Sequence, residues 1–254
     1  MHHRRGRSPR RAAPNQGGFK PAPQRVGRGA AGLRVLIAAG PTREPIDPVR
    51  FLSNYSTGYL GAQLATEALG RGHRVTVVLG PAAEPMPRGA RVIPVTTARE
   101  MAQALRRAAG RADAIIMAAA VCDFRPSRVS AVKLKRRPTL TLALEATPDL
   151  IGRLPRRASQ VVVGFALESG RVVARATQKL RTKRLDMVLA QEVGYRRSPF
   201  GSTRVRAWVL ARGGDVTPLG WVRKRTVARV LLDKIERLWY GQQEPKPTRD
   251  VVKT

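Results

Sequence analysis

Six short apolar runs alternate with helix-patterned segments, and this alternation restricts the chain more than any other feature. The runs are Arg34–Ala39 (RVLIAA), Arg74–Leu79 (RVTVVL), Arg91–Val95 (RVIPV), Ala114–Ala119 (AIIMAA), Val161–Ala166 (VVVGFA) and Met187–Ala190 (MVLA). They are nearly continuous in apolar character, as strands covered on both faces are. Between them, Tyr59–Arg71 places Leu60, Leu64, Ala65 and Leu69 at helical spacing, and Ala98–Ala109 does the same with Met101, Leu105 and Ala108. A third helix is expected over Val172–Lys183. Strand and helix in alternation predict an α/β fold with a doubly wound, mostly parallel, Rossmann-like sheet. The pattern then changes. Arg204–Ala211, the turn Arg212-Gly213-Gly214-Asp215 and Val216–Leu219 read as a C-terminal antiparallel hairpin. Arg223–Leu238 closes with an amphipathic helix carrying Val227, Val230, Leu231, Ile235 and Leu238.

These elements define a folded domain over residues 32–240. Residues 1–31 are rich in Arg, Pro and Gly without apolar period and are expected to be a disordered basic tail; residues 241–254 read as a polar tail. No run approaches the roughly 18 apolar residues of a membrane helix, and the charged start lacks the apolar core of a signal peptide. A soluble cytoplasmic protein with no membrane partner is expected. The single cysteine, Cys122, excludes an internal disulfide and a Cys-based zinc site. Of three histidines only His73 lies outside the tail, so a Ser–His–Asp triad or a His-rich metal centre has almost no material. The net charge is +31, and beyond the first 29 residues 40 basic side chains still face 17 acidic ones. That surplus attracts nucleoside triphosphates, sugar phosphates or nucleic acid, or else reflects an arginine-rich surface with no particular partner.

The segment from Gly40 to Gly58, GPTREPIDPVRFLSNYSTG, follows the first strand, where open parallel sheets bind ligands. A dinucleotide fingerprint would place three glycines within a few residues; here Gly40 has no successor before Gly58 and Gly61. The prolines of P-I-D-P stiffen a long wall or lid instead. Ser53-Asn54-Tyr55-Ser56-Thr57-Gly58 then leads into a helix. Two readings stay open on spacing alone: donors gathered at a positive helix end for a phosphate or carboxylate, or plain capping by Ser56 or Thr57.

AGPTREPIDPVRFLSNYSTG followed by GAQLA resembles the opening signature of the phosphopantothenoylcysteine synthetase (phosphopantothenate–cysteine ligase) family. The resemblance continues in order through AAAVCDFRP (118–126), VKLKR (132–136), TPDL (147–150), VGFALE (163–168) and KLRTKRLD (179–186), and spans residues 34 to about 238. It implies a ligase of coenzyme A biosynthesis that joins 4'-phosphopantothenate to L-cysteine. Such an enzyme spends CTP or ATP, with Mg2+, to form an acyl-nucleotidylate and pyrophosphate, and the cysteine amine then displaces the nucleotide. Anionic reactants of this kind need cations and oriented dipoles more than a protein nucleophile.

Residue by residue, the resemblance makes Asn54 and Lys133 catalytic. Asn54 is expected to hold the substrate carboxylate together with Ser56, Thr57, Gly58, Ala119 and Ala120. Gly40, Asp123, Lys133, Thr147, Pro148, Asp149, Leu150, Phe165, Lys179 and Lys183 are expected around the nucleotide, with no protein-held metal. Mg2+ would ride on the triphosphate, Cys122 would be only a small residue, and Lys135 a solvated charge. The resemblance further implies a homodimer using Arg204–Leu219, and a separate decarboxylase for the pathway step that the family often fuses to this half. The chain departs from the family pattern at Tyr55, Thr57, Tyr59 and Leu60, at Gln191 and Glu192, and at Thr203. Loss of the basic residue at 59 removes one expected phosphate contact. The rival readings are a catalytically degenerate copy and a basic Rossmann-like protein that binds nucleotide or nucleic acid. A nicotinamide oxidoreductase lacks its glycine fingerprint here. Aromatics are 5% of the chain and form no stacking stripe, which leaves nucleic acid to weak contact with the basic tail.

Overall fold

A computed structural model describes residues 32–194, 199–200 and 203–243. The tail expected over residues 1–31 lies outside the described residues, as does the tail expected over 241–254 from residue 244 on; Gly241 itself ends a helix. In chain order the strands are β1 (Arg34–Ala39), β2 (Arg43–Pro45), β3 (Phe51–Ser53), β4 (Arg74–Leu79), β5 (Arg91–Pro94) and β6 (Ala114–Met117). They continue as β7 (Phe124–Pro126), β8 (Leu144–Ala146), β9 (Val161–Glu168), β10 (Met187–Glu192), β11 (Arg204–Ala211) and β12 (Val216–Arg223). The helices are α1 (Tyr59–Gly70), α2 (Ala98–Ala109), α3 (Val172–Thr182) and α4 (Lys224–Gly241).

Eight strands form one sheet in the order β12-β11-β10-β9-β6-β1-β4-β5. The six from β10 to β5 are parallel, and β11 and β12 add an antiparallel edge. This is the expected α/β architecture, because the apolar runs have helices to cover both faces. One face buries Leu64, Ala65 and Ala68 of α1 with Val227, Leu231 and Ile235 of α4; the other buries Met101 and Leu105 of α2 with Ala176 and Leu180 of α3. The first layer is also clasped by charge: Arg71 pairs with Glu67 (2.8 Å), Asp233 (2.8 Å) and Glu236 (3.0 Å). His73 is wholly structural. Its Nδ1 accepts from the Leu33 N–H (3.2 Å) and its Nε2 bonds Glu236 (2.9 Å).

Most expected elements end within one or two residues of their forecast bounds. The larger differences lie at the C-terminus: the second hairpin strand runs on to Arg223, and α4 continues to Gly241. Two small antiparallel pairs, β2–β3 and β7–β8, were not expected. At three residues per strand they carry no readable period. The first is closed by Asp47, whose Oδ1 accepts from the N–H groups of Val49 (2.9 Å) and Arg50 (2.8 Å). The P-I-D-P segment is thus a side-chain-stapled hairpin that projects from the end of β1.

Strand β1 has α1's strand β4 on one side and β6 on the other, so the chain's direction of travel reverses between β1 and β6. Open parallel sheets bind ligands at such a switch point, in the crevice outside the carboxyl ends of the strands.

Candidate functional site

The loop after β1 begins with Gly40 in a left-handed turn (φ +77°), where an added Cβ would fall 2.9 Å from the Gly80 carbonyl oxygen. Only glycine lets this turn press against the neighbouring loop. Past it, the Ala120 N–H donates to Gly40 O (2.9 Å) and the Thr42 N–H to Ala120 O (3.2 Å), so the two switch-point loops are laced together. Thr42 is fully buried; its Oγ1 accepts from the Cys122 N–H (3.0 Å), and its carbonyl accepts from Ser53 Oγ (2.8 Å). Cys122 packs beneath this lattice, 7% exposed, and burial pushes its thiol upward in pKa. A neutral, enclosed sulfur agrees with the expectation of a small filler residue.

Asn54 hangs from the same lattice. Its Nδ2 donates to Ala120 O at 2.9 Å, while the side chain stays exposed. The same Nδ2 also makes a long contact with Cys122 Sγ (3.9 Å), and no described residue bonds Oδ1. Ser56 and Thr57 do not cap α1: Gly58 occupies the cap position in a left-handed conformation (φ +83°), with no side-chain cap bond. Their hydroxyls make only local turns, Ser56 Oγ to the Gly58 N–H (3.4 Å) and Thr57 Oγ1 to the Tyr59 N–H (3.3 Å). Neither is the cap residue, although Thr57 does take the Tyr59 N–H; the N–H groups of Leu60 and Gly61 remain as donors for an anion. Gly61 allows this helix to lie against β1, since a Cβ there would sit 2.4 Å from that of Ala39.

Across the crevice, the segment after β6 carries Asp123. Thr147 ties to it twice, Oγ1 donating to Cys122 O (2.5 Å) and N–H to Asp123 O (2.9 Å). Pro148 follows, and Leu150 turns into the apolar core (8% exposed), anchoring the loop instead of facing the crevice. Asp149 forms an ion pair with Lys183 and accepts from the Gly152 N–H (3.0 Å). Burial alone would raise its pKa, but Lys183 and that N–H lower it on balance. Lys179 donates to Phe165 O at 2.6 Å. Burial depresses its pKa, and Asp123, Glu168 and Asp149 oppose that fall through their charge. The four groups Lys179, Lys183, Asp123 and Asp149 therefore share one field. The Phe165 ring goes to the other face of the sheet, against the cluster under α1 and α4.

Lys133 sits on an exposed stretch that the P-I-D-P hairpin holds from both sides. The Ser130 N–H bonds Ile46 O (3.0 Å), the Leu134 N–H bonds Asp47 Oδ2 (3.1 Å), and Arg50 Nη2 bonds Leu134 O (2.8 Å). Asp47 is 4% exposed, and its Arg50 partner holds the carboxyl well below the usual range. Asp47, Arg50 and Thr42 are absent from the sequence-based site. The P-I-D-P motif marked a rigid turn, but nothing local announced that its aspartate would also grip a segment 87 residues away.

The position of Tyr59 holds a second such case. Lys224, first residue of α4, is 5% exposed; its Nζ donates to Pro199 O (2.6 Å) and lies 5.6 Å from the Tyr59 ring centroid. A cation thus stands beside the start of α1 although residue 59 is not basic. Of the other departures, Glu192 pairs with Arg206 (3.1 Å), Gln191 is buried in β10, and Thr203 O accepts from the Lys224 N–H (2.8 Å). Among the described residues no group of three or more His, Cys, Asp or Glu is arranged to hold a metal ion, and no helix is long and apolar enough to cross a membrane.

Comparison with known proteins agrees with this architecture. The family described as DNA/pantothenate metabolism flavoprotein C-terminal domain matches residues 30–238. A cysteine/cysteine sulfinic acid decarboxylase from an unknown prokaryotic organism is 38% identical over 208 residues, covering 80% of this chain and 58% of that protein. The coenzyme A biosynthesis bifunctional protein CoaBC of Escherichia coli (strain K12) is 37% identical over 210 residues, covering 80% and 51%. The chain spans about half the length of the curated relatives it matches. The crystal structure of the C-terminal domain of a CoaBC protein superposes with a TM-score of 0.70 at 33% identity, covering 83% of this chain and 97% of that domain.

Proposed function

The chain belongs to the DNA/pantothenate metabolism flavoprotein C-terminal domain family, as a phosphopantothenoylcysteine synthetase-like domain, and from that premise we propose that it ligates 4'-phosphopantothenate to L-cysteine. In this reading the substrate carboxylate attacks the α-phosphorus of CTP or ATP, pyrophosphate leaves, and the cysteine amine then attacks the acyl carbon and expels the nucleoside monophosphate. The observation that carries the reading is the lacing of Asn54 onto Ala120 at the switch point, with the uncapped start of α1 on one side and the Lys179–Asp123–Lys183–Asp149 group on the other.

Each part has a physical task. Asn54 would turn to the carboxylate the amide hydrogen that is held only by the long contact with Cys122 Sγ (3.9 Å). A neutral donor orients the anion without the ion pair that would quench its nucleophilicity. The open N–H groups of α1, with Lys224 beside Tyr59, suit a phosphate. Lys179 and Lys183 suit the triphosphate, and displacing Asp149 from Lys183 would free that cation as nucleotide enters. Mg2+ would arrive on the triphosphate and neutralise its charge, with Asp123 as a carboxylate at hand. Lys133, on its braced stretch, would follow charge onto the acyl intermediate. The decarboxylase named for one relative belongs to a longer protein, whereas the motifs matched here are those of the ligase.

The test is pyrophosphate release by purified protein with phosphopantothenate and either nucleotide, with and without cysteine. Release by wild type, reduced by about 10²-fold or more in Asn54→Ala and in Lys133→Ala, is the expected result. A protein that binds nucleotide yet releases no pyrophosphate with either would instead be the degenerate copy that the departures at Tyr59, Gln191, Glu192 and Thr203 allow.

A further inference from the structure

At the opposite edge of the sheet from this crevice lies a cavity of about 880 Å³. Its floor is apolar, from Val162 at the start of β9, Leu180 on α3 and Leu210 on β11. Five arginines ring it: Arg156, Arg157, Arg181, Arg184 and Arg212, against the two carboxylates Asp186 and Asp215. Both β9 and β10 begin here, and the six residues of β10 separate this edge from the crevice by ~20 Å.

The arginines are of two kinds. Three are fixed by backbone carbonyls. Arg156 donates to Arg184 O (3.2 Å) and Lys183 O (3.0 Å), Arg212 to Leu185 O (3.2 Å) and Arg184 O (2.9 Å), and Arg157 to Ala112 O (2.8 Å). These bonds orient the guanidinium groups; Arg212 is also paired with Asp186 (3.1 Å) and Arg157 with Asp113 (3.7 Å), while Arg156 meets only carbonyls. The other two, Arg181 and Arg184, make no side-chain hydrogen bond or ion pair with any described residue. Arg184 also holds a left-handed backbone (φ +50°), which a non-glycine residue seldom adopts unless its surroundings demand it. Asp186 is already engaged by Arg212 (3.1 Å) and the Val162 N–H (2.7 Å). The cavity therefore carries an uncompensated positive charge on forks that are partly pre-oriented, above an apolar floor.

We propose that this cavity binds a small molecule bearing two or more phosphoryl charges, at a site separate from the crevice. Guanidinium forks match phosphate oxygens in pairs, and the volume is that of a pocket for a small metabolite. No aromatic side chain lines it, so stacked bases gain nothing there. The site owes nothing to the ligase reading and stands or falls apart from it.

Inorganic tripolyphosphate is the probe, titrated calorimetrically at fixed ionic strength into the full chain carrying Lys179→Met, which weakens the crevice for phosphates. Three proteins are compared: that background alone, with Arg181→Ala and Arg184→Asn added, and with Arg106→Ala and Arg107→Ala added. The last pair lies exposed on α2 and removes the same charge elsewhere. Asparagine at 184 tolerates the left-handed backbone. Roughly tenfold or greater weakening in the 181/184 protein, with the 106/107 protein unchanged, is expected. Equal binding by all three, or equal loss in both substituted proteins, would show only the general charge of the surface and overturn the site. If the double substitution unfolds, the single Arg181→Ala, on an exposed helix position, reads the same comparison with a smaller loss.

Discussion

Helix α1 contains two glycines for which the structure dictates opposite fates. At Gly61 an added methyl would lie 2.4 Å from Ala39 Cβ and 3.4 Å from Ala39 Cα. Carbon atoms rest at about 3.5–4.0 Å, so the helix must retreat from β1 by roughly 1–1.5 Å, because Ala39 sits in the sheet and has no rotamer to give. Leu64, Ala65 and Ala68 share that face and would lose part of their contact with it. Overpacking of this kind costs about 1–3 kcal/mol, while replacing glycine stiffens the unfolded chain and returns about 0.4–1 kcal/mol. At Gly70 nothing lies within 4 Å of the added methyl and the position is exposed, so only the second effect acts. Gly70→Ala should therefore be stabilised by about 0.4–1 kcal/mol, and Gly61→Ala destabilised by about 1–2 kcal/mol. Urea unfolding followed by far-UV circular dichroism measures both. In thermal scans the pair should differ by roughly 4–8 °C. Because Gly61 also sets the position of the α1 start, its variant should lose pyrophosphate release at temperatures where it remains folded, whereas Gly70→Ala should match wild type. Coincident unfolding curves for the two variants would mean that α1 does not press on β1 as described, and the argument for a positioned helix end would go with it.

Other expectations follow from charged groups. Burial would raise the pKa of Glu236, but its bond to His73 and the charge of Arg71 lower it on balance; a carboxyl depressed in the folded state stabilises above its unfolded value of about 4.3 and ceases to do so as pH falls through the folded value. Stability should decline below about pH 4.3, and Glu236→Gln should flatten that acid limb in urea titrations at successive pH values; an unchanged limb would contradict the cluster. Lys179 is a cation that burial disfavours, so Lys179→Met should unfold at or above the wild-type temperature while pyrophosphate release drops about 10²-fold or more; a marked loss of stability would argue against the placement. Asp47→Asn should loosen the stretch it holds through Leu134, making trypsin cut faster after Lys133, Lys135 and Arg136 with the rest of the domain intact, and equal cleavage rates would show that the hairpin does not brace it.

The elements themselves were readable in the chain because each depends on neighbours a few residues away. RVLIAA and RVTVVL declare buried strands by composition, and the spacing of Met101 and Leu105 declares one face of a helix. The Asn54 motif was recognisable for the same reason, as a contiguous string. The short pairs β2–β3 and β7–β8 were not, since three residues hold no period and their pairing depends on the Asp47 staple and on Thr147 meeting Cys122. Leu150 shows the limit within a motif: its sequence neighbours bear the charge partners, yet its own side chain faces the core.

Which groups meet across the crevice followed from the order of strands in the sheet. That order brings the loops after β1 and β6 together, so that an asparagine amide reaches a carbonyl 66 residues later, and it sets Lys224 over Tyr59 although 165 residues separate them. Local pattern reports what a segment buries, because burial repeats with the period of the backbone. The company a side chain keeps depends on where distant segments cross, and no periodicity in the chain records that.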